Sequence, residues 1–233
     1  MIDWHSHILP GMDDGSKSVE ESIQLLSMLS EQGADTVVAT SHFYANDESV
    51  DRFLERRTEC YSKLSAVLPD SAPKILLGAE VSYYQGISRL EELSKLCIEG
   101  TDLLLLEMPF ARWSKSMIRE IIEITVQRSI TIILAHIERY LDIQELEVFD
   151  ELREYGVIMQ VNAGFFKRLS TRRRARKLLL TGYIQIIGSD THNIKLRPPT
   201  LGVAYDVIEK KFGKDFIDEI NGYGRFLLDK IYK

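Results

Sequence analysis

The chain has 233 residues, with 29 basic and 35 acidic side chains, five histidines, two cysteines and a formal net charge of -6. Its length suits one domain of α/β-barrel size, and 45% hydrophobic with 27% charged residues excludes a disordered polymer. The acidic balance argues against general nucleic-acid binding, and Cys60 and Cys97, which lack CxxC spacing, exclude a disulfide scaffold.

Ile2 to His5 opens the chain as a first strand. No basic stretch followed by an apolar run is present there, so no signal peptide is read. No apolar run approaches the roughly 20 residues that span a bilayer. A cytoplasmic location without direct membrane insertion is therefore expected. Six further apolar runs follow, at Thr36–Thr40, Ile75–Leu77, Leu103–Leu106, Ile130–Leu134, Val157–Val161 and Ile184–Ile187. Runs that are apolar on both faces are the mark of buried parallel strands.

The segments between them read as helices. Ser18 to Gln32 places Val19, Ile23, Leu26 and Leu29 on one face and stops at Gly33. Asp47 to Val67 ends before Pro69, Ser114 to Arg128 carries an isoleucine-rich face, Ile143 to Tyr155 ends at Gly156, and Arg172 to Thr181 ends at Gly182. Strand and helix in alternation imply a parallel sheet wrapped by helices. Seven such repeats favour a closed or nearly closed barrel, with 1–233 as a single domain. Leu201 to Lys233 reads as two helices around Gly213 and Gly222-Tyr223-Gly224, packed over the barrel.

In parallel barrels the chemistry sits at the carboxyl ends of the strands. Those ends read His5-Ser6-His7, His42, Glu80, Glu107, His136, Asn162-Ala163-Gly164 and Ser189-Asp190-Thr191-His192. All five histidines stand there and none in a helix. Alternation puts His5 with His7, and Asp190 with His192, on one side of a strand. Taken singly, each is as well read as a rim residue; as a set they suit zinc, manganese or iron. With Asp14 they exceed the need of one tetrahedral ion, so two or three ions are expected. Three divalent ions against four carboxylates leave a net positive site, even after a bridging hydroxide. Such a site attracts a phosphate dianion and favours displacement at phosphorus.

The segments His5-Ser6-His7-Ile8-Leu9-Pro10-Gly11-Met12-Asp13-Asp14-Gly15, Thr40-Ser41-His42, Gly78-Ala79-Glu80, Ala135-His136-Ile137-Glu138-Arg139-Tyr140 and Gly188-Ser189-Asp190-Thr191-His192-Asn193 resemble the PHP (polymerase and histidinol phosphatase) superfamily. More closely they resemble the bacterial CpsB/CapC-type protein-tyrosine phosphatases of capsule and exopolysaccharide regulation. The likeness runs from Met1 to about Pro199. It implies a distorted (β/α)7 TIM-like barrel with C-terminal helices and a trinuclear centre, usually active with manganese, with iron and zinc as alternatives. On the family pattern, His5, His7, Glu80 and Asp190 match a first metal site. Glu80, Glu107 and His136 match a second, with Glu80 bridging, and Asp14, His42 and His192 match a third. Arg139 and Arg197 match phosphate-binding arginines, a role for which guanidinium forks are suited. The chain departs from the pattern at Ile137, where proline is usual, at Trp4, where a smaller aliphatic is usual, and at Asn221-Gly222 in place of asparagine-proline.

The implied activity is hydrolysis of phosphotyrosine on a protein by a metal-bridging hydroxide, with Asp14 or His192 assisting the leaving phenolate. The implied partner is the tail of a bacterial tyrosine kinase. A histidinol-phosphate or other small-molecule phosphomonoesterase is the alternative enzyme, and a catalytically silent kinase adaptor the alternative of another class. Phe43 and Tyr44, and also Phe110 and Trp113, are placed to stack on a phosphotyrosine ring or to cap the barrel. The basic run Lys167–Lys177 reads as a solvated helix face, or else as a docking patch for an acidic tail.

Overall fold

A computed structural model describes residues 1–229 of the chain; positions 230–233, the end of the expected C-terminal helix, lie outside the described residues. The strands are β1 (Ile2–Ser6), β2 (Thr36–Ala39), β3 (His42–Phe43), β4 (Lys74–Leu77), β5 (Glu80–Ser82), β6 (Leu103–Glu107), β7 (Thr131–Leu134), β8 (Ile158–Asn162) and β9 (Ile186–Gly188). Every pairing is parallel. The second and third expected strands are each interrupted, at Thr40-Ser41 and at Gly78-Ala79. The ladder therefore divides into β1-β2-β4 and β3-β5-β6-β7-β8-β9. Gly78 N donating to Ala39 O (2.9 Å) and Glu80 N donating to Ser41 O (3.0 Å) carry it across the interruptions.

The last strand curls back to the first. Asp190 N donates to His5 O (2.7 Å), His7 N donates to Thr191 O (2.9 Å), and Ser6 bridges Thr191 in parallel. The expected distorted barrel is thus the observed architecture. Its lumen follows from alternation: Leu103 and Leu105 join an inner apolar cluster with Val38, Ile133 and Ile158, while Leu104 and Leu106 face the helices. A register shift between Asp3 and Ser6 lets Trp4 join that inner cluster while His5 reaches Gln160 in the upper lumen.

The helices are α1 (Val19–Glu31), α2 (Val50–Ser65), α3 (Lys115–Gln127), α4 (Leu146–Glu154), α5 (Gly164–Lys167), α6 (Leu169–Leu180), α7 (Leu201–Phe212) and α8 (Lys214–Leu228). Ser18, Ser49 and Ser114 cap α1, α2 and α3 by accepting from backbone N–H groups. Three features differ from the sequence reading. The connection from β5 to β6 carries two 3-10 turns, Ile87–Arg89 and Glu91–Leu96, because Ile87, Leu90, Leu93 and Leu96 recur every third residue and dock as one row. The basic helix begins at Leu169, after the short α5. Gly213 does separate α7 from α8 (φ 90°), but Gly222 and Gly224 lie inside α8. At Gly224 the helix crosses the barrel base so closely that a Cβ would meet Trp4 and Ile2 at 3.3 Å.

Gly188 shows how tightly the barrel closes. A Cβ there would lie 2.4 Å from the His5 Cβ and 2.8 Å from His5 N. Gly188→Ala is expected to destabilise the protein by about 1–3 kcal/mol, lowering the thermal midpoint by roughly 2–10 °C. Gly164→Ala, where the added Cβ meets nothing within 4 Å, is the control that should leave the midpoint in place. Equal melting of both variants would refute the close approach.

Candidate metal centre

The loop after β1 folds back on itself. Gly11 N donates to Ser16 O (2.8 Å) and Ser16 N to His7 O (3.0 Å). Only glycine fits at position 15, where a Cβ would lie 2.2 Å from His7 O. This turn returns the two aspartates to the strand end with different tasks. Asp13 points inward: its Oδ2 accepts from His7 Nδ1 (2.8 Å) and from His42 N (3.0 Å). Asp14 stays at the mouth, its Oδ1 3.3 Å from His42 Nε2 and 3.4 Å from His192 Nε2.

Hydrogen bonds on one ring nitrogen free the other. His7 donates its Nδ1–H to Asp13, which leaves Nε2 as the nitrogen that faces the cluster. Gln160 Oε1 accepts from His136 N (2.7 Å), which orients the amide so that the same oxygen faces His5 Nδ1 at 3.4 Å. The two Nε2 atoms of His5 and His7 then stand 3.1 Å apart, each close to Glu80 Oε2 (3.1 and 3.2 Å) and to Asp190 Oδ1 (both 3.6 Å). Lone pairs so close repel unless a proton or cation lies among them. The spacing matches the edge of a coordination shell with bonds of about 2.1 Å.

Glu80 links the halves of the cluster. Its Oε2 serves His5, His7 and His42 Nδ1 (3.0 Å), and its Oε1 faces His136 Nε2 (3.0 Å), which also lies 3.2 Å from Glu107 Oε1. His192 turns Nδ1 toward the Asp190 carbonyl (3.1 Å) and leaves Nε2 buried without a hydrogen-bond partner among the described residues. Ligand atoms within 4.8 Å of one another form three groups: His5, His7 and Asp190; His42, Glu80 and Glu107; and His7, Asp14, His42 and His192. All nine expected ligand residues therefore meet in one continuous cluster. His136 stands by Glu80 and Glu107 as the family pattern implies, and His42 is grouped with the same two carboxylates as well. His136 (φ 33°) and Asp190 (φ 52°) hold left-handed backbone, uncommon for residues other than glycine, and both lie in the cluster.

Charge sets the protonation. Burial disfavours the charged form of His7, but its hydrogen bonds to the carboxylates of Asp13 and Glu80 outweigh it and push His7 up to about 10. His136, buried yet bonded to Glu107 and Glu80, rises to about 9. Glu80 is held well below the usual range by the surrounding histidines despite its burial. Burial and then repulsion from His7 push His192 down to about 4. Asp190 falls to about 2 against its burial, mainly through His5 and His7.

Both expected arginines reach the rim. Arg139 and Arg197 each place a terminal nitrogen on Asp190 Oδ2, at 2.8 and 2.7 Å, and Arg139 also lies 3.4 Å from Glu107 Oε1. Tyr44 is exposed and stacked on His42, ring centroids 5.3 Å apart. The stacking role expected of Phe43 is corrected: its ring is 1% exposed and packs edge-on against Phe53, because alternation in β3 turns it away from His42 toward the helices. Trp113 is likewise in the core, against Tyr140 and Phe149, and only Phe110 of that pair is exposed.

Three supporting residues escaped the sequence reading. Asp13 and Gln160 orient the imidazoles as described. Asp3, buried, accepts from Ser189 N and Ser189 Oγ (both 2.6 Å) and fixes the end of β9. A polar residue inside an apolar strand, such as Gln160, was the available signal. Asn162, at the end of β8, donates to Asp190 Oδ2 (2.7 Å).

Ion binding at these groups must displace protons. At neutral pH, loading with a divalent cation should release at least one proton, read by calorimetry in buffers of different ionisation enthalpy, and affinity should rise from pH 6 to 9. The raised values of His7 and His136 stabilise the ion-free protein fully below the ordinary histidine range near about 6.5. That contribution is lost as pH climbs through about 9 and 10. Asp13→Asn should weaken ion affinity about 10–100-fold; a variant that binds as tightly as the native chain would show that Asp13 does not orient His7.

Residues 1–223 match the family model described as capsular polysaccharide synthesis, CpsB/CapC. The chain is 34% identical over 230 residues to the tyrosine-protein phosphatase CpsB of Streptococcus pneumoniae, covering 91% of each. It is 30% identical over 226 residues to the tyrosine-protein phosphatase YwqE of Bacillus subtilis, covering 92% of this chain and 86% of that one. Its fold is similar to a crystal structure described as that of YwqE from Bacillus subtilis and CpsB from Streptococcus pneumoniae, "unique metal-dependent tyrosine phosphatases", with a TM-score of 0.84, 24% identity and coverage of 100% and 96%. From strand ends to overall length, the chain belongs to the CpsB/CapC family.

Proposed function

We propose that this chain is a metal-dependent phosphatase that hydrolyses phosphotyrosine on proteins. The observation that carries the reading is the meeting of two rim guanidiniums, Arg139 and Arg197, with a buried histidine–carboxylate cluster at Asp190. The relatives named as tyrosine-protein phosphatases support it. The nine clustered residues would hold three divalent ions, manganese by preference, with iron or zinc as alternatives. When bound, such ions supply hydroxide near neutral pH and offset charge on the attacking and leaving oxygens in displacement at phosphorus.

The chain's own groups do the rest. Arg139 and Arg197 each commit one terminal nitrogen to Asp190 and retain N–H donors for the nonbridging phosphate oxygens. Asp190, fixed by those arginines and by Asn162, couples the phosphate subsite to His5 and His7. Tyr44 offers a ring face at the mouth for the substrate phenyl group. Burial and the carboxylates of Glu107 and Glu80 push its phenol up to about 12, so it stays uncharged beside the phosphate. His192, neutral at physiological pH with Nδ1 turned to the Asp190 carbonyl, is suited to a ligand role, and Asp14 stands beside it at the mouth. We take the chain as one domain, in keeping with a core cluster that runs from Ile8 to Ile208. The proposed setting is the cytoplasm, with the tail of a tyrosine kinase of capsule or exopolysaccharide synthesis as substrate. Among the described residues no helix is long and apolar enough to cross a membrane.

Purified protein should release phosphate from a phosphotyrosine peptide, and chelation or His136→Ala should abolish that release. Arg139→Ala and Arg197→Ala should each lower kcat about 100-fold, the cost of one transition-state donor group. Histidinol phosphate assayed alongside should be a poor substrate; its preferential turnover would replace the protein-phosphatase reading, and an active chelated enzyme would overturn metal dependence.

A further inference from the structure

A groove of about 590 Å³ runs between α6 and the end of α7. Arg172, Arg173, Arg176, Lys177 and Lys211 line it, and no carboxylate does. Its apolar lining is Leu169, Leu180 and Phe212, of which Leu169 is 81% and Leu180 64% exposed. Two of the cations are fixed in place: Arg172 donates to Phe166 O (2.9 Å) and Lys167 O (3.0 Å), and Arg176 donates to Val207 O (3.4 Å). Among the described residues the side chains of Arg173, Lys177 and Lys211 have no ion-pair or hydrogen-bond partner. α6 follows Asn162 and α5, so the groove starts near the barrel face that carries the cluster and runs down the flank.

This patch stands against the rest of the molecule. The chain as a whole is acidic, with a formal charge of -6, whereas the lining of this groove is wholly basic and complements an acidic segment. Arg172 and Arg176 tie α6 to α5 and α7, whereas the side chains of Arg173, Lys177 and Lys211 have no such structural partner among the described residues. We propose that the groove docks an extended acidic segment of a partner protein, with apolar side chains interspersed among its carboxylates. Its cations would pair the carboxylates, and Leu169, Leu180 and Phe212 would cover the apolar side chains. A shallow trough between two helices, with separate cations and leucines along its length, matches a peptide segment whose carboxylates and apolar side chains are interspersed. Resting on the phosphatase reading, the partner is the substrate protein itself, held at a distance from its phosphotyrosine. Docking there raises the local concentration of the phosphorylated residue at the metal centre.

Two measurements test this. A short fluorescein-labelled peptide alternating Glu with Leu, without tyrosine or phosphate, should bind the native chain by anisotropy, and added salt should weaken it. Arg173→Glu/Lys177→Glu/Lys211→Glu should weaken binding about tenfold or more, with Arg173→Gln/Lys177→Gln/Lys211→Gln intermediate and both variants melting like the native chain. For a phosphotyrosine peptide extended by an acidic–apolar segment, the reversal should raise KM with kcat unchanged. Turnover of p-nitrophenyl phosphate should not change. Equal peptide binding by native and reversed chains overturns the proposal, as does binding to phosphatidylserine vesicles with none to the peptide. Absence of all phosphatase activity would sink the enzyme reading yet leave the anisotropy result standing, so the two failures are distinguishable.

Discussion

Glu80 is the interaction on which the site depends. It is buried, its two oxygens touch four histidines, and it sits where the third strand position resumes after its interruption. A carboxylate so removed from water is stable only among positive charges, since desolvation of an unpaired ion costs several kcal/mol. Protons on His7 and His136 can supply those charges, and so can divalent cations. Cations would have to displace those protons, so ion affinity rises with pH while the proton-dependent stability of the ion-free protein falls. The same constraint explains why every histidine of the chain is spent here and why the supporting residues are amides and carboxylates rather than further cations.

The barrel exists in the form that this cluster needs. Closure of β9 onto β1 brings Asp190 to His5 and His7, residues far apart in sequence, and Gly188 makes room for the contact. The shift in β1 separates a tryptophan that seals the base from a histidine that lines the top. The interruptions at Thr40-Ser41 and Gly78-Ala79 reset the direction of the second and third strand positions, so that His42 and Glu80 face each other across paired strands. Distortion of the barrel is thus the means of placing ligands, and the left-handed residues His136 and Asp190 stand at two of those placements.

Charge is segregated over the molecule. Acidic groups gather at the metal cluster, where ions would offset them, and a wholly basic groove lies on the flank between α6 and α7. The formal charge of -6 therefore describes neither region. Arg139 and Arg197 stand between the two regimes, on the rim, where they balance Asp190 and remain open to an anion.

Much of this was legible in the residues. Runs apolar on both faces announced buried parallel strands, and the side chain ending each run announced the cluster, because parallel strands present their carboxyl ends together. Periodicity alone could not say which face of a strand becomes the lumen. His42 and Phe43 are neighbours with opposite fates, and only sheet curvature assigns the lumen to one and the helix layer to the other. Asp13 and Asp14 look equivalent in the sequence; the turn at Gly15 sends one beneath His7 and the other to the mouth. Gly222 and Gly224 read as a helix end, yet the close crossing over Trp4 makes Gly224 a contact point inside α8. The sequence by itself determined the seven strand positions, the histidines and carboxylates at their ends and the family. Closure of the barrel decided which ligands share an ion, which aromatics meet solvent and where the basic side chains gather, because those depend on distances between strands and helices that no local pattern encodes.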